Sequence, residues 1–305
     1  MLDPTRLAIS TCWCSSRHVD GYDMLYELRE LGFSQVELSH GIRVSLVPGI
    51  LRALAEKVVT VSSVHNFWPL PSSVQHAAPN LFQPSARSRQ ERELWLHYSR
   101  QTLEFAEQVG APVVVMHSGS VSFRFRSPAS VLGESGGGEG DRRYRASLQR
   151  LRSAARRALP RVVKSYRDLA LFAEEKGIRL GAENREGTLE LPLDAGWTDF
   201  LSGFEKGGPV GYWHDTGHAE IKHQQGLLDP ARHLELVAER LLGFHLHDVS
   251  AEGRDHQVPG SGSVDFSLVR QFIRPEHVLV LEPSPRLTSE DIRVSRAFLL
   301  DQLGA

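Results

Sequence analysis

Eight short apolar runs recur along the chain, at about 7–12, 35–39, 58–64, 112–117, 178–183, 209–214, 241–246 and 277–282. Longer stretches with apolar residues at helical spacing separate them. Residues 21–31 (GYDMLYELREL) stop at Gly32, residues 90–109 stop at Gly110, and residues 161–176 stop at Gly177. Glycine accepts the left-handed backbone that ends a helix, so each is an expected stop. Short buried strands alternating with helices predict parallel pairing through right-handed crossovers. Eight such units in 305 residues predict an α/β fold, a closed (β/α)8 TIM barrel, as a single domain spanning 1–305. An open doubly wound sheet is the alternative, but the loop after the first run lacks a Gly-x-Gly-x-x-Gly phosphate-binding fingerprint.

Four of the later runs end on a charged or metal-binding side chain: GIRLGAE on Glu183, PVGYWHD on Asp215, LLGFH on His245 and HVLVLE on Glu282. Two residues before each stand Gly181, Trp213, Gly243 and Val280, so one strand face returns to the same place. Active groups of a (β/α)8 barrel sit at the C-terminal strand ends, where all four lie. Three carboxylates and an imidazole this close repel one another unless a cation neutralises them. Glu183, Asp215, His245 and Glu282 therefore read as ligands of a divalent metal.

Further histidines fall at the same mouth. His65 ends the third run in phase with Val61 and Ser63, and His117 ends the fourth in phase with Val113 and Val115. His218 follows Asp215 by three residues, and His256 lies in the loop GRDHQVPGSGSVDF. A lone histidine at a strand end is usually a hydrogen-bonded structural residue; five at one mouth favour a functional site. Phe67 and Trp68, after the third run, offer an apolar wall for a sugar ring, with core packing as the alternative.

Composition narrows the classes. Hydrophobic content of 41%, charged content of 24% and a formal net charge of −2 describe an ordinary soluble chain with no overall pull toward a polyanion. No nucleic-acid partner is expected, and no segment reaches the length of a membrane span. The N-terminus has an early Asp and Pro and no basic region before an apolar stretch, so a cytoplasmic protein is expected. Cys12 and Cys14, one residue apart on an expected strand, would point to opposite faces and remain unpaired. GESGGGEGD at 133–141 reads as a surface insertion or a lid over the mouth. Residues 142–167 carry ten Arg or Lys and no acid, with apolar positions at helical spacing. They read as an amphipathic helix with a solvated basic face, or a phosphate-binding one, which Pro160 should kink or interrupt.

GAEN at 181–184, HDTGHA at 214–219, FHLHD at 244–248, DHQVPGSGSVD at 255–265 and VLEP at 280–283 resemble the motifs of the xylose isomerase-like barrel superfamily. With QVELS at 35–39, the resemblance spans nearly the whole chain. That superfamily groups sugar isomerases and epimerases with metal-dependent apurinic endonucleases. The resemblance implies that Glu183, Asp215, His245 and Glu282 hold a divalent metal, with Mn2+ first and Mg2+, Co2+ or Zn2+ as alternatives. It implies that Glu183 and Glu282 exchange the substrate proton beside a carbonyl, and that His218 binds a small polyhydroxylated substrate. His256 stands where the epimerases often carry Arg, and His247 replaces their usual Lys, which leaves the substrate open. His65, His117, Glu183, Asp215, His218, His245, His256 and Glu282 also match the ligand set of the endonuclease branch, with Asp255 one residue out of step. The expected activity is a sugar, sugar phosphate or cyclitol isomerase or epimerase working through an enediolate. The alternatives are a carbohydrate dehydratase or lyase, a multinuclear phosphoesterase, or a barrel that binds without turnover. A homodimer accords with the relatives' habit.

Overall fold

The computed structural model describes residues 3–71, 74, 76–132 and 141–304. Eight parallel strands close into a barrel in sequence order: β1 (Leu7–Ser10), β2 (Gln35–Leu38), β3 (Thr60–His65), β4 (Val113–Met116), β5 (Arg179–Glu183), β6 (Val210–Asp215), β7 (Leu241–Leu246) and β8 (Val278–Leu281). Each coincides with one of the eight apolar runs, and β8 pairs back onto β1. The fold is therefore the closed barrel expected from the pattern.

The helices are α1 (Gly21–Glu30), α2 (Val47–Ala55), α3 (Arg89–Val109), α4 (Ala129–Leu132), α5 (Arg142–Glu175), α6 (Trp197–Leu201), α7 (Thr216–Gln224), α8 (Pro230–Val237), α9 (Phe266–Phe272) and α10 (Ser289–Gln302). Their starts are local chemistry. Side-chain oxygens of Asp20, Ser88, Asp141, Asp215, Asp229, Asp265 and Thr288 accept from first-turn backbone N–H groups of α1, α3, α5, α7, α8, α9 and α10. None of the helices is long and apolar enough to cross a membrane, among the described residues.

Two local expectations are corrected. Pro160 does not interrupt its helix: α5 runs unbroken from Arg142 to Glu175 and absorbs the expected 161–176 segment. The Arg161 guanidinium donates to the Arg157 carbonyl at 2.9 Å, covering a backbone acceptor beside the proline, and Ala158 and Val162 stay buried on either side of it. Packing of that apolar face outweighs the missing proline N–H. Strand β1 stops at Ser10, so Cys12 and Cys14 lie in and just after a tight 3-10 turn (Thr11–Trp13) rather than on a strand. Both are free thiols. Of the expected lid, residues 133–140 lie outside the described residues.

Inside the barrel, Ala8, Val113, Val115, Trp213, Leu242 and Val280 form a cluster of their own. The Trp213 indole fills the interior only because its neighbours have no side chains. A Cβ on Gly243 would meet the Trp213 ring at 2.5 Å and the Val278 carbonyl at 2.6 Å, and one on Gly181 would meet Trp213 at 3.2 Å. This plug floors the site above it. Gly243→Ala is expected to destabilise the fold by about 1–3 kcal/mol through overpacking; urea denaturation with an unchanged midpoint would show that the indole has room to move.

Candidate metal centre

Strands β5 to β8 deliver Glu183, Asp215, His245 and Glu282 to one point at the C-terminal mouth. All four are buried, and one ligand atom from each lies within 4.8 Å of the others. His245 Nδ1 stands 2.7 Å from Glu183 Oε1, 3.1 Å from Glu282 Oε2 and 3.7 Å from Asp215 Oδ2. Ligand atoms about 2.1 Å from an octahedral cation are about 3 Å apart when adjacent, so this spacing suits one divalent ion. Mixed oxygen and nitrogen donors fit Mn2+, and also Mg2+, Co2+ or Zn2+. The sequence-predicted ligand set is thus brought together whole.

The sequence reading missed Glu37. This carboxylate, wholly buried at the end of β2, accepts from Ser10 Oγ at 3.0 Å and from Ser63 Oγ at 2.8 Å on the two flanking strands. His245 Nε2 donates to it at 3.0 Å. Glu37 therefore fixes the imidazole plane and turns Nδ1 toward the other three ligands, the carboxylate–histidine arrangement common behind metal-bound histidines. Its signal was present in QVELS, a charged residue inside an otherwise apolar buried run.

Charge is distributed unevenly over the cluster. Burial opposes protonation of His245, yet Glu282 and Glu37 hold its pKa well above the ordinary imidazole range. Burial works against ionised Glu183 as well, but Arg185 and the adjacent histidines hold it well below the usual carboxylate range. Arg185 Nη1 donates to Glu183 Oε2 at 3.1 Å, and Nη2 lies 3.0 Å from Glu186. Glu282 goes the other way: burial, with Glu37, Asp215 and Glu183 nearby, pushes it up to about 7.

Asp215 is shared between tasks. One oxygen accepts the His218 backbone N–H at 2.7 Å, capping α7, and the carboxylate accepts from His247 Nε2 at 3.0 Å. Asn184 clamps the same strand end, accepting from Asp215 N at 2.7 Å and donating to its carbonyl at 2.9 Å. His247 Nδ1 in turn accepts the His256 backbone N–H at 2.9 Å. His247 thereby orients Asp215 and His256, and with His218 and His256 it forms a further group whose potential ligand atoms lie within 4.8 Å of one another. His256 holds a left-handed backbone (φ 52°), rare for a side chain with a Cβ, and its Nδ1 donates to the Glu282 carbonyl at 2.9 Å. Its Nε2 faces Asp255 Oδ2 at 3.6 Å.

His65 and His117 form a second group around the other oxygen of Glu183. His65 Nδ1 donates to the Asn66 carbonyl at 3.0 Å and His117 Nδ1 to Asn80 Oδ1 at 3.0 Å. Their Nε2 atoms face Glu183 Oε2 at 3.7 and 2.9 Å. Burial, then Arg185, lowers the His117 pKa to about 4. Its Nε2 is sealed from solvent and makes no aligned hydrogen bond. Two imidazoles with Nδ1 pinned and Nε2 turned to one carboxylate make a three-ligand set for a second cation.

Trp68 is not a site residue. It is fully buried, edge-on to Phe105 at 5.1 Å, with its backbone N–H bonded to Thr102 on α3, so the alternative of core packing holds. His218 is also buried; its Nδ1 donates to the Asn184 carbonyl at 3.0 Å and its Nε2 faces Glu186 at 3.2 Å. Glu282 and His256 do meet open space, at the inner end of a cavity of about 1030 Å3. The basic face of α5 stands apart: Arg145, Arg152 and Arg156 edge a separate groove of about 610 Å3 lined by none of the candidate site residues.

Residues 25–299 match the family described as the xylose isomerase-like TIM barrel. The chain belongs to that family. A relative in Sinorhizobium fredii, named only as the uncharacterized protein y4fM, is 23% identical and aligns over 86% of this chain and 81% of its own. Among solved structures, a D-tagatose 3-epimerase-like protein superposes with a TM-score of 0.69 at 17% identity, covering 98% of this chain and 97% of its own. A 3-keto-D-glucoside 4-epimerase from E. coli gives 0.69 at 16% identity over 97% and 99%. At these identities the structures attest the fold.

Two outcomes check the xylose isomerase-like centre. Glu37→Gln should leave the circular dichroism spectrum unchanged and weaken Mn2+ binding about 10–100-fold by calorimetry; undiminished affinity would remove Glu37 from the centre. Burial and the neighbouring carboxylates push the Glu282 carboxyl up to about 7, and His245 is held protonated above the ordinary imidazole range. Metal binding requires both in their deprotonated forms, so Mn2+ affinity should fall as pH drops from 8 to 6, and at pH 6 Glu282→Gln should release about one proton fewer on binding. Equal proton release from Glu282→Gln and the unaltered protein would exclude Glu282 as a ligand.

Proposed function

We propose that the chain is a divalent-metal-dependent sugar isomerase or epimerase that moves a proton beside a carbonyl through an enediolate. One observation carries the reading: Glu282 belongs both to the four-ligand cluster and to the wall of the large cavity. A substrate in that cavity meets the cation-binding pole and a proton acceptor at the same place. The activities of solved structural neighbours, 3- and 4-epimerases of sugars, support the same chemistry.

A divalent cation held by Glu183, Asp215, His245 and Glu282 would supply Lewis-acid stabilisation of negative charge developing beside the carbonyl. The protein's own groups do the rest. Glu282, on the cavity wall, is placed to take and return one proton. Glu183 is assigned the second proton, its Oε2 held by Arg185 Nη1 at 3.1 Å. His256, on the cavity wall beside Asp255, is placed to bind a substrate hydroxyl, while His218 orders Glu186 and the strand end behind it.

A second reading, phosphoester hydrolysis by a multinuclear centre, is favoured by one specific feature: His65 and His117 converge on the oxygen of Glu183 that the first ligand set leaves over. A second cation held by His65, His117 and Glu183 would supply charge stabilisation for in-line displacement at phosphorus.

The test separates the two. Mn2+-loaded protein is incubated in D2O with a panel of ketoses, inososes and their phosphates and followed by NMR. Deuterium entering one carbon beside a carbonyl, abolished in Glu282→Gln, is the expected result. No exchange across the panel, with two or more metal ions per chain and cleavage of bis(p-nitrophenyl) phosphate, would overturn it in favour of hydrolysis.

A further inference from the structure

The cavity that opens on Glu282 is too large for a lone sugar. At about 1030 Å3 it reaches the upper end of the roughly 300–1,000 Å3 range of pockets that enclose drug-sized ligands. A monosaccharide seated at the Glu282 end fills only a fraction of it. The remainder is walled by segments following β1, β2, β3, β7 and β8.

The outer wall is cationic although the chain as a whole is not. Arg43, Arg254 and Arg286 come from three different loops, those after β2, β7 and β8, and line the same space. The carboxylates on the wall are Asp255 and Glu282, and Glu282 is committed to the metal pole. Arg43 spends one donor on the His18 carbonyl at 2.7 Å, and Arg254 is shared with exposed Glu252 at 3.2 Å. Arg286 is exposed, and its backbone N–H is bound to Ser284 Oγ. On the same wall His40 carries a solvent-sealed Nδ1 with no hydrogen-bond partner. Guanidinium forks match phosphate oxygens in pairs, and three of them around one space favour a dianion over a neutral hydroxyl.

We propose that the substrate is a phosphorylated polyhydroxylated compound larger than a monosaccharide, its reacting carbon at Glu282 and its phosphoryl group among Arg43, Arg254 and Arg286. This deepens the proposed function and rests on that reading for the metal end alone. The arginine end is a binding claim that stands whether the chemistry is proton transfer or hydrolysis.

The test is therefore binding, kept apart from turnover. Mn2+-loaded protein is titrated calorimetrically with glucose, glucuronate, glucose 6-phosphate and ADP-glucose. The two phosphorylated probes should bind at least tenfold tighter than glucose and glucuronate, with affinity falling as salt rises. Arg254→Ala and Arg286→Ala, both at exposed positions, should each cost about tenfold for the phosphorylated probes. They should leave glucose and Mn2+ binding unchanged, and Arg286→Lys should recover part of the loss. Glucuronate binding as tightly as the phosphates would overturn the phosphoryl assignment. ADP-glucose excluded while glucose 6-phosphate binds would overturn the size argument. No phosphorylated probe binding, or binding indifferent to both variants, would overturn the subsite itself. Failure of deuterium exchange with these binding results intact would instead reject the isomerase reading and leave the subsite standing.

Discussion

Four carboxylates, Glu37, Glu183, Asp215 and Glu282, are buried together at one end of the barrel around one imidazole, and the rest of the site is organised by that charge. Burying an uncompensated carboxylate costs several kcal/mol, so each must be matched. Glu37 is matched by two serines and His245; Asp215 by the α7 N-terminus and His247; Glu183 by Arg185. Glu282 is matched least, and its raised pKa records the deficit. A divalent cation at this point would offset the remaining charge and remove the need for a proton on either Glu282 or His245. The ligand that titrates most readily is also the one that meets the cavity.

The division of labour around the barrel follows from the same constraint. Strands β5 to β8 carry the ligands, whereas β1 to β3 carry Ser10, Glu37, Ser63 and His65, which hold His245 and Glu183 in place or face them. Register enforces this: Ser10 pairs with Glu37 and Glu37 with Ser63, so the three hydroxyl and carboxyl groups sit in one row. Below them Trp213, accommodated by Gly181 and Gly243, makes a dry floor. A low-dielectric floor strengthens every electrostatic contact above it.

Much of this was legible in the chain because barrel strands are buried on both faces and read as plain apolar runs. A polar residue ending such a run is conspicuous, which is how Glu183, Asp215, His245 and Glu282 stood out. Glu37 interrupts the second run near its C-terminal end, and a search for charged residues within the runs as well as at their ends would have found it. Arg185 and Glu186 gave no such signal, because they lie past a strand end where spacing no longer fixes direction. Trp68 failed for a related reason: a large aromatic after β3 serves equally as cavity wall or core, and its burial beneath α3 is decided by Thr102 and Phe105, distant in sequence. Pro160 shows the limit of local rules, since the apolar face of α5 is long enough to carry the helix across a missing hydrogen bond.

His256 joins the two halves of the site. The cavity is built from the loops after β1, β2, β3, β7 and β8, and the ligand cluster from β5 to β8, so they overlap at the β7–β8 edge. There the chain adopts a left-handed turn at His256, a conformation that costs on the order of 1 kcal/mol or more for a residue with a Cβ. Two bonds hold it: its N–H to His247, which also orients Asp215, and its Nδ1 to the backbone of Glu282. The strained residue is thus tied to two candidate ligands of the centre while its Nε2 faces Asp255 on the cavity wall. Relaxing that turn would shift Asp215 and Glu282 together, so the geometry of the cation-binding pole and the shape of the substrate wall are set by one structural element rather than two.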